Sequence, residues 1–116
     1  MAADAPVADA AMKGDREAVR ALIRQKADVN IAQGDGSTAL HWAAYNDDAE
    51  TVTLLVKAGA NVNAVNRFGV PPLAQACTNG NAAIAKALLD AGANPNAALK
   101  GGETVLMLAS RAGNLD

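Results

Sequence analysis

Aromatic side chains are nearly absent: one tryptophan, one tyrosine and one phenylalanine make up 3% of 116 residues. Hydrophobic content is 51%, but much of it is alanine, which suits thin, closely packed layers better than a bulky globular core. Histidine occurs once, at His41, and cysteine once, at Cys77. A single cysteine excludes an internal disulfide and leaves the redox compartment open. One residue of each kind is also too few for a metal site built on His and Cys, so neither a metal nor another cofactor is expected. No apolar run approaches the ~18 residues of a membrane span, which argues against membrane insertion. An excess of positive charge is missing as well. Ten basic against twelve acidic residues leave a net charge of −2, a poor match for nucleic acid or an anionic membrane surface as the main partner. The start, MAADAPVADAAMKGD, has no basic segment followed by an apolar stretch and does not read as an intact secretory signal.

What the chain does have is a period. The segments GSTALHWAAYNDD, GVPPLAQACTNGN and GETVLMLASRAGN align with Gly36, Gly69 and Gly102 spaced 33 residues apart. The second halves keep the same offset: ALIRQKADVNI ends at Ile31, LLVKAGANVNA at Ala64 and ALLDAGANPNA at Ala97. Asp15, Asp48, Asn81 and Asn114 fall one period apart, and all belong to the preferred helix N-cap types. Apolar residues at helical spacing follow the first three caps: Val19, Leu22 and Ile23; Val52, Leu55 and Val56; Ile84, Leu88 and Leu89. Gly59 and Gly92 stand where those helices should end in a left-handed residue. Gly14, Gly80 and Gly113 close a shorter helix just before each cap. Each unit therefore reads as a short helix, a tight turn, a longer helix and an extended turn. No unit of this size can bury its apolar face alone, so the units must stack.

This pattern resembles the ankyrin repeat, whose hallmark is a T-P-L-H-x-A segment in a period of 33. TALHWAA (38–44) is the nearest copy, supported by ADVN (27–30), GANVNA (59–64) and GANPNA (92–97). The resemblance implies an all-α solenoid of helix-turn-helix units joined by β-turn or hairpin-like loops. It would cover 1–116 as one domain, with repeats at about 5–34, 35–67 and 68–100 and a partial fourth at about 101–116. Ala39 and Val105 replace the family's proline, and Ala74 and Met107 its histidine. Lys26 and Asp47 stand where glycine is preferred, so strained or altered turns are expected there, since glycine reaches positive φ at little cost.

His41 invites a catalytic or metal-binding reading. Catalysis would need a nucleophile and an orienting group within reach, and the sequence offers poor candidates. The acidic group Asp47, Asp48 and Glu50 is explained by a helix start and its dipole. By the resemblance, Thr38 and His41 hydrogen-bond the first helix to neighbouring turns. We therefore read His41 as structural, together with Thr38, Asp15, Asp48, Asn81, Gly59 and Gly92, and expect no enzyme activity.

The resemblance also implies a concave recognition surface lined by first helices and turn tips. The tips would supply Asp35, Ser37, Arg67, Phe68, Val70, Lys100 and Glu103. The first helices would supply Trp42, Tyr45, Asn46, Gln75, Thr78, Asn79 and Arg111. All three aromatics fall in this set, and binding hot spots are enriched in Trp, Tyr and Arg. For Trp42 packing and binding both stay open. The charges on the longer helices, including Arg16, Glu17, Arg20, Lys86 and Asp90, read as a solvated outer face. The chain stops at GNLD, after a helix-start signal and before the helix it announces. That suggests a fragment of a longer array whose end frays or self-associates through the incomplete C-terminal repeat. The expected function is a protein–protein interaction module. The alternative is a regulatory or targeting ankyrin domain cut from a larger enzyme or transport protein.

Overall fold

The computed structural model of the chain describes residues 5–95. Lys100, Glu103, Arg111 and Asn114, with the partial fourth repeat, lie outside the described residues. Within them run α1 (Pro6–Met12), α2 (Arg16–Arg24), α3 (Ala39–Tyr45), α4 (Ala49–Lys57), α5 (Pro72–Asn79) and α6 (Ala82–Asp90), with no strand. Helices of seven to nine residues are too short to hold in water alone, so their starts and their packing decide whether they form. The side chains of Asp15, Asp48 and Asn81 accept the amides of Ala18, Thr51 and Ile84 at 3.0, 3.2 and 3.0 Å. Each such cap contributes about 1 kcal/mol.

The turns between paired helices require a left-handed residue. Gly14 and Gly80 supply it at φ 72° and 71°, and Asp47 occupies the equivalent place at φ 58°. After the longer helices Gly59 and Gly92 sit at φ 93° and 103°, and Lys26 at 62°. The turns thus keep their shape, and Lys26 and Asp47 carry the strain, about 1 kcal/mol each.

The helices form two layers. The short helices stack in the order α1, α3, α5 and the longer ones in the order α2, α4, α6, each pair packed back to back. Val7, Leu40 and Leu73 from the first layer meet Val19, Val52, Leu55, Ile84 and Leu88 from the second in one buried core. Ala8, Ala43, Ala44 and Ala76 of the short helices are fully buried, where a larger side chain would force packed neighbours apart.

Polar clamps bind each unit to the next. Asn30 donates from Nδ2 to the Gly59 carbonyl and accepts the Asn61 amide on Oδ1, at 3.2 and 2.7 Å. Asn63 does the same to Gly92 and Asn94, at 3.1 and 2.8 Å. At the turn tips the Arg67 amide donates to the Asp35 carbonyl at 2.8 Å. Gly36 allows this approach, because a Cβ there would lie 3.0 Å from the Arg67 nitrogen and the Asn66 Cα. On the outer side the charges of α2 and α4 are not simply solvated. Arg16 bonds Asp48 at 2.9 Å and Glu50 at 3.2 Å, and Arg20 bonds both Glu17 and Glu50. Four of the charges therefore join one unit to the next.

Candidate functional site

His41 begins on the first turn of α3 and is only 3% exposed. Its Nδ1 accepts the Thr38 backbone amide at 3.1 Å, with the Thr38 hydroxyl 3.0 Å from the same nitrogen. A backbone N–H can only donate, so Nδ1 is unprotonated and Nε2 carries the hydrogen. That Nε2–H donates to the Val70 carbonyl of the following unit at 2.7 Å. Burial pushes the imidazole below its ordinary value of 6.5, against the opposing pull of the Val70 bond and of Asp35. Both ring nitrogens are therefore used, Nδ1 in closing the start of α3 and Nε2 in holding that helix to the next unit's turn. Cys77 is buried in α5, and burial raises its thiol above the usual range, away from the reactive thiolate.

Beside His41 a cleft of about 290 Å³ opens between α3 and the two turn tips. Trp42, Tyr45 and Phe68 line it, so the protein's three aromatic residues all meet here. Trp42 and Tyr45 sit one helical turn apart on α3 and touch edge to face, with centroids 5.6 Å apart at 88°. Trp42 is half-buried against the core, and its indole N–H donates to Gln33 Oε1 at 2.7 Å. Gln33 in turn reaches Asp9 of α1 at 2.7 Å. Tyr45 and Phe68 stand out into solvent at 55% and 56% exposure. The Arg67 guanidinium carbon lies 5.8 Å from the Phe68 ring centre. Asp35, Ser37, Asn66 and Gln75 complete the walls. The Ser37 amide, donating to Asp35 Oδ1 at 2.9 Å, does most to hold that carboxylate below its usual range.

The other residues of the expected concave surface divide by what their side chains touch. Thr78 is exposed, Gln75 half-buried at the cleft, and Val70 half-buried with its carbonyl bound to His41. Asn46 and Asn79 have a different occupation. Asn46 Nδ2 donates to the Ala11 and Met12 carbonyls at 3.0 and 3.3 Å, and Asn79 Nδ2 to those of Ala44 and Tyr45 at 3.3 and 2.8 Å. Each adds a side-chain donor to the last carbonyls of the preceding short helix, where the regular helical bonds end. Their spacing of one period was the signal for this.

The family model described as ankyrin repeats (3 copies) matches residues 7–99 and again 59–116. The chain belongs to the ankyrin-repeat family. No curated protein matches it. Ankyrin repeats in general mediate protein–protein interaction and are typically not catalytic. In this ankyrin stack the described residues hold no group of three His, Cys, Asp or Glu placed to share a metal ion. None of their helices is long and apolar enough to cross a membrane. A wider, shallow depression beside α1 and α2 includes Lys13, Arg16 and Glu17, but there Arg16 is already engaged with Asp48 and Glu50. Asp35 and Gln33 are the residues whose part in the cleft motif alone did not announce. Asp35 appears in the sequence only as one polar residue of a turn tip, and Gln33 as part of the loop before it.

Proposed function

We propose that the chain is a single protein-interaction domain that receives its partner on the concave side, where the short helices and turn tips meet. The observation that carries this reading is the convergence of Trp42, Tyr45 and Phe68 on one cleft, with two of them more than half exposed. Trp42 has a packing role that accounts for its position. Tyr45 and Phe68 have none comparable, and large apolar rings left in water are favourable to cover. Around them Gln75, Thr78 and Arg67 give the polar, hydrogen-bonding rim of a recognition surface. The domain performs no chemistry of its own in this reading, since the His41 nitrogens are both bonded and the Cys77 thiol is buried.

The test is capture of binding proteins from the source organism's lysate by the wild type and by a Tyr45→Ala, Phe68→Ala double variant. Both side chains are exposed, so each substitution should cost under about 1 kcal/mol of stability and the variant stays folded. A protein held by the first and lost by the second supports the concave site. Identical captures with equal strength would remove it.

A further inference from the structure

The aromatic cleft has one ionised carboxylate, Asp35, among aromatic rings and the neutral polar side chains of Ser37, Asn66 and Gln75. The two ring N–H groups that line it are already used: His41 Nε2–H on the Val70 carbonyl and the Trp42 indole on Gln33. What faces the space is a carboxylate, at Asp35, and aromatic rings whose faces carry the negative part of their quadrupole. Several carboxylates outside the cleft are paired with cations, Asp48 and Glu50 with Arg16, Glu17 and Glu50 with Arg20, and Asp90 with Lys86. Asp9, Asp15, Asp28 and Asp47 accept from neutral N–H groups and line no aromatic cleft. None of the ion pairs among the described residues involves Asp35, whose carboxylate is held by the neutral Ser37, with the Ser37 amide donating to Oδ1. A charge without a counter-charge thus stands beside rings that attract cations. One of those rings already has a cation near it, the Arg67 guanidinium over Phe68.

Resting on the reading that a partner protein docks on this side, we propose that the cleft is a receptor for one arginine side chain of that partner. Its guanidinium lies against the aromatic faces, and its N–H groups reach Asp35. At about 290 Å³ the space falls at the lower end for ligand sites, which suits a single side chain. Arginine fits better than lysine. Its planar, weakly hydrated head stacks on rings and offers five donors, enough for Asp35 and the neutral oxygens beside it, whereas an ammonium is compact and strongly hydrated. An anionic group would meet the Asp35 charge with no cation of the lining to receive it.

The experiment is a titration of the whole chain with N-acetyl-arginine methylamide, followed at the indole N–H resonance of Trp42, the protein's sole tryptophan. The matching lysine and citrulline amides run beside it, citrulline keeping the shape of arginine without its charge. Arginine should shift the resonance saturably, with a dissociation constant in the roughly millimolar range expected of one small group. Citrulline and lysine should bind more weakly, citrulline by about tenfold or more. Asp35→Asn retains an oxygen for the Ser37 amide, and should keep the melting temperature while weakening arginine binding by a similar factor. No saturable shift with arginine, equal binding of citrulline, or an unaffected Asp35→Asn would overturn the proposal, and equal binding of lysine would overturn the choice of arginine. Capture of a lysate partner separates this from the broader reading. A partner lost with Tyr45 and Phe68 but retained by Asp35→Asn leaves the concave site standing and removes the arginine.

Discussion

In α3 and α4 the positions that start and align the helices are polar: Thr38, His41, Asp48 and Thr51. One period later, in α5 and α6, the same positions hold Pro71, Ala74, Asn81 and Ile84. His41 fixes the first of these starts through its two ring nitrogens, while Pro71 and Pro72 restrict the second through their rings, with Ala74 simply buried. The Thr51 hydroxyl donates to Asp48 Oδ2 at 2.7 Å inside the stack, where Ile84 fills the equivalent space with methyl groups. The turn residue is Asp47 in one and Gly80 in the other. One backbone arrangement can thus be held by hydrogen bonds that depend on protonation, or by rigid backbone and apolar burial that do not. In this molecule the two solutions lie side by side, and sensitivity to pH should concentrate in the first.

The largest effects should be those the two regions share. Leu55 and Leu88 are equivalent and both fully buried, so Leu55→Ala and Leu88→Ala should each cost about 2–5 kcal/mol in urea unfolding. A much greater cost for Leu88→Ala would mean that the apolar pair concentrates its stability in fewer side chains. Next comes His41→Ala, which leaves the Thr38 amide and the Val70 carbonyl without their partner. We expect a loss of about 1–3 kcal/mol, read by the same unfolding curves.

Acid should then separate the regions further. His41 has its ordinary value of 6.5 in the unfolded chain and a lower one when folded, because burial disfavours the imidazolium. The unfolded chain therefore binds the proton first. Stability is full above that ordinary value and falls as the pH drops below it. Asp48 adds a second loss at lower pH. Burial pushes its carboxyl up, but the Thr51 hydroxyl and Arg16 outweigh this and hold it below the ordinary 3.8, so its contribution fades as the pH falls from there toward the folded value. Melting curves at about pH 7.5 and about 5.5 span the His41 step, and His41→Ala should flatten the dependence between them. An unchanged slope in that variant would place the titration elsewhere. Smallest is a gain: Lys26→Gly should raise stability by about 0.5–1 kcal/mol by relieving its positive φ. Asp47→Gly should gain less, because Asp47 Oδ1 also accepts from Asn81 Nδ2 at 3.2 Å. Equal gains from both would show that this bond contributes little.

The architecture was legible because a period of 33 repeats its punctuation: three caps, two glycine turns and their apolar pattern all occur in register, and each reports local backbone geometry. Even the departures at Lys26 and Asp47 could be read, since a left-handed turn is a local demand. The side-chain traffic between units was harder to see. Asn46 and Asn79 share a helix face with the aromatics, and only the carbonyls of the preceding helix, 34 and 35 residues back, reveal their task. Arg16 and Arg20 looked solvated because the acids that tie them to the next unit, Asp48 and Glu50, lie at the start of another helix. The meeting of the aromatics on one side followed from the alignment, but the lone charge of Asp35 beside them depends on what every neighbouring cation is doing.

The Asn30 and Asn63 clamps make the same two bonds to the same two positions of the unit that follows. The joint is therefore standardised: whatever unit presents a glycine carbonyl and an asparagine amide at that spacing will fit behind it. Duplicating the segment 35–67 in tandem would present to Asn63 the same glycine carbonyl and asparagine amide, those of Gly59 and Asn61, that Asn30 already meets, so this joint would carry over when the array is lengthened by a whole unit. The surface on the concave side would change with each exchange while the joint stayed the same.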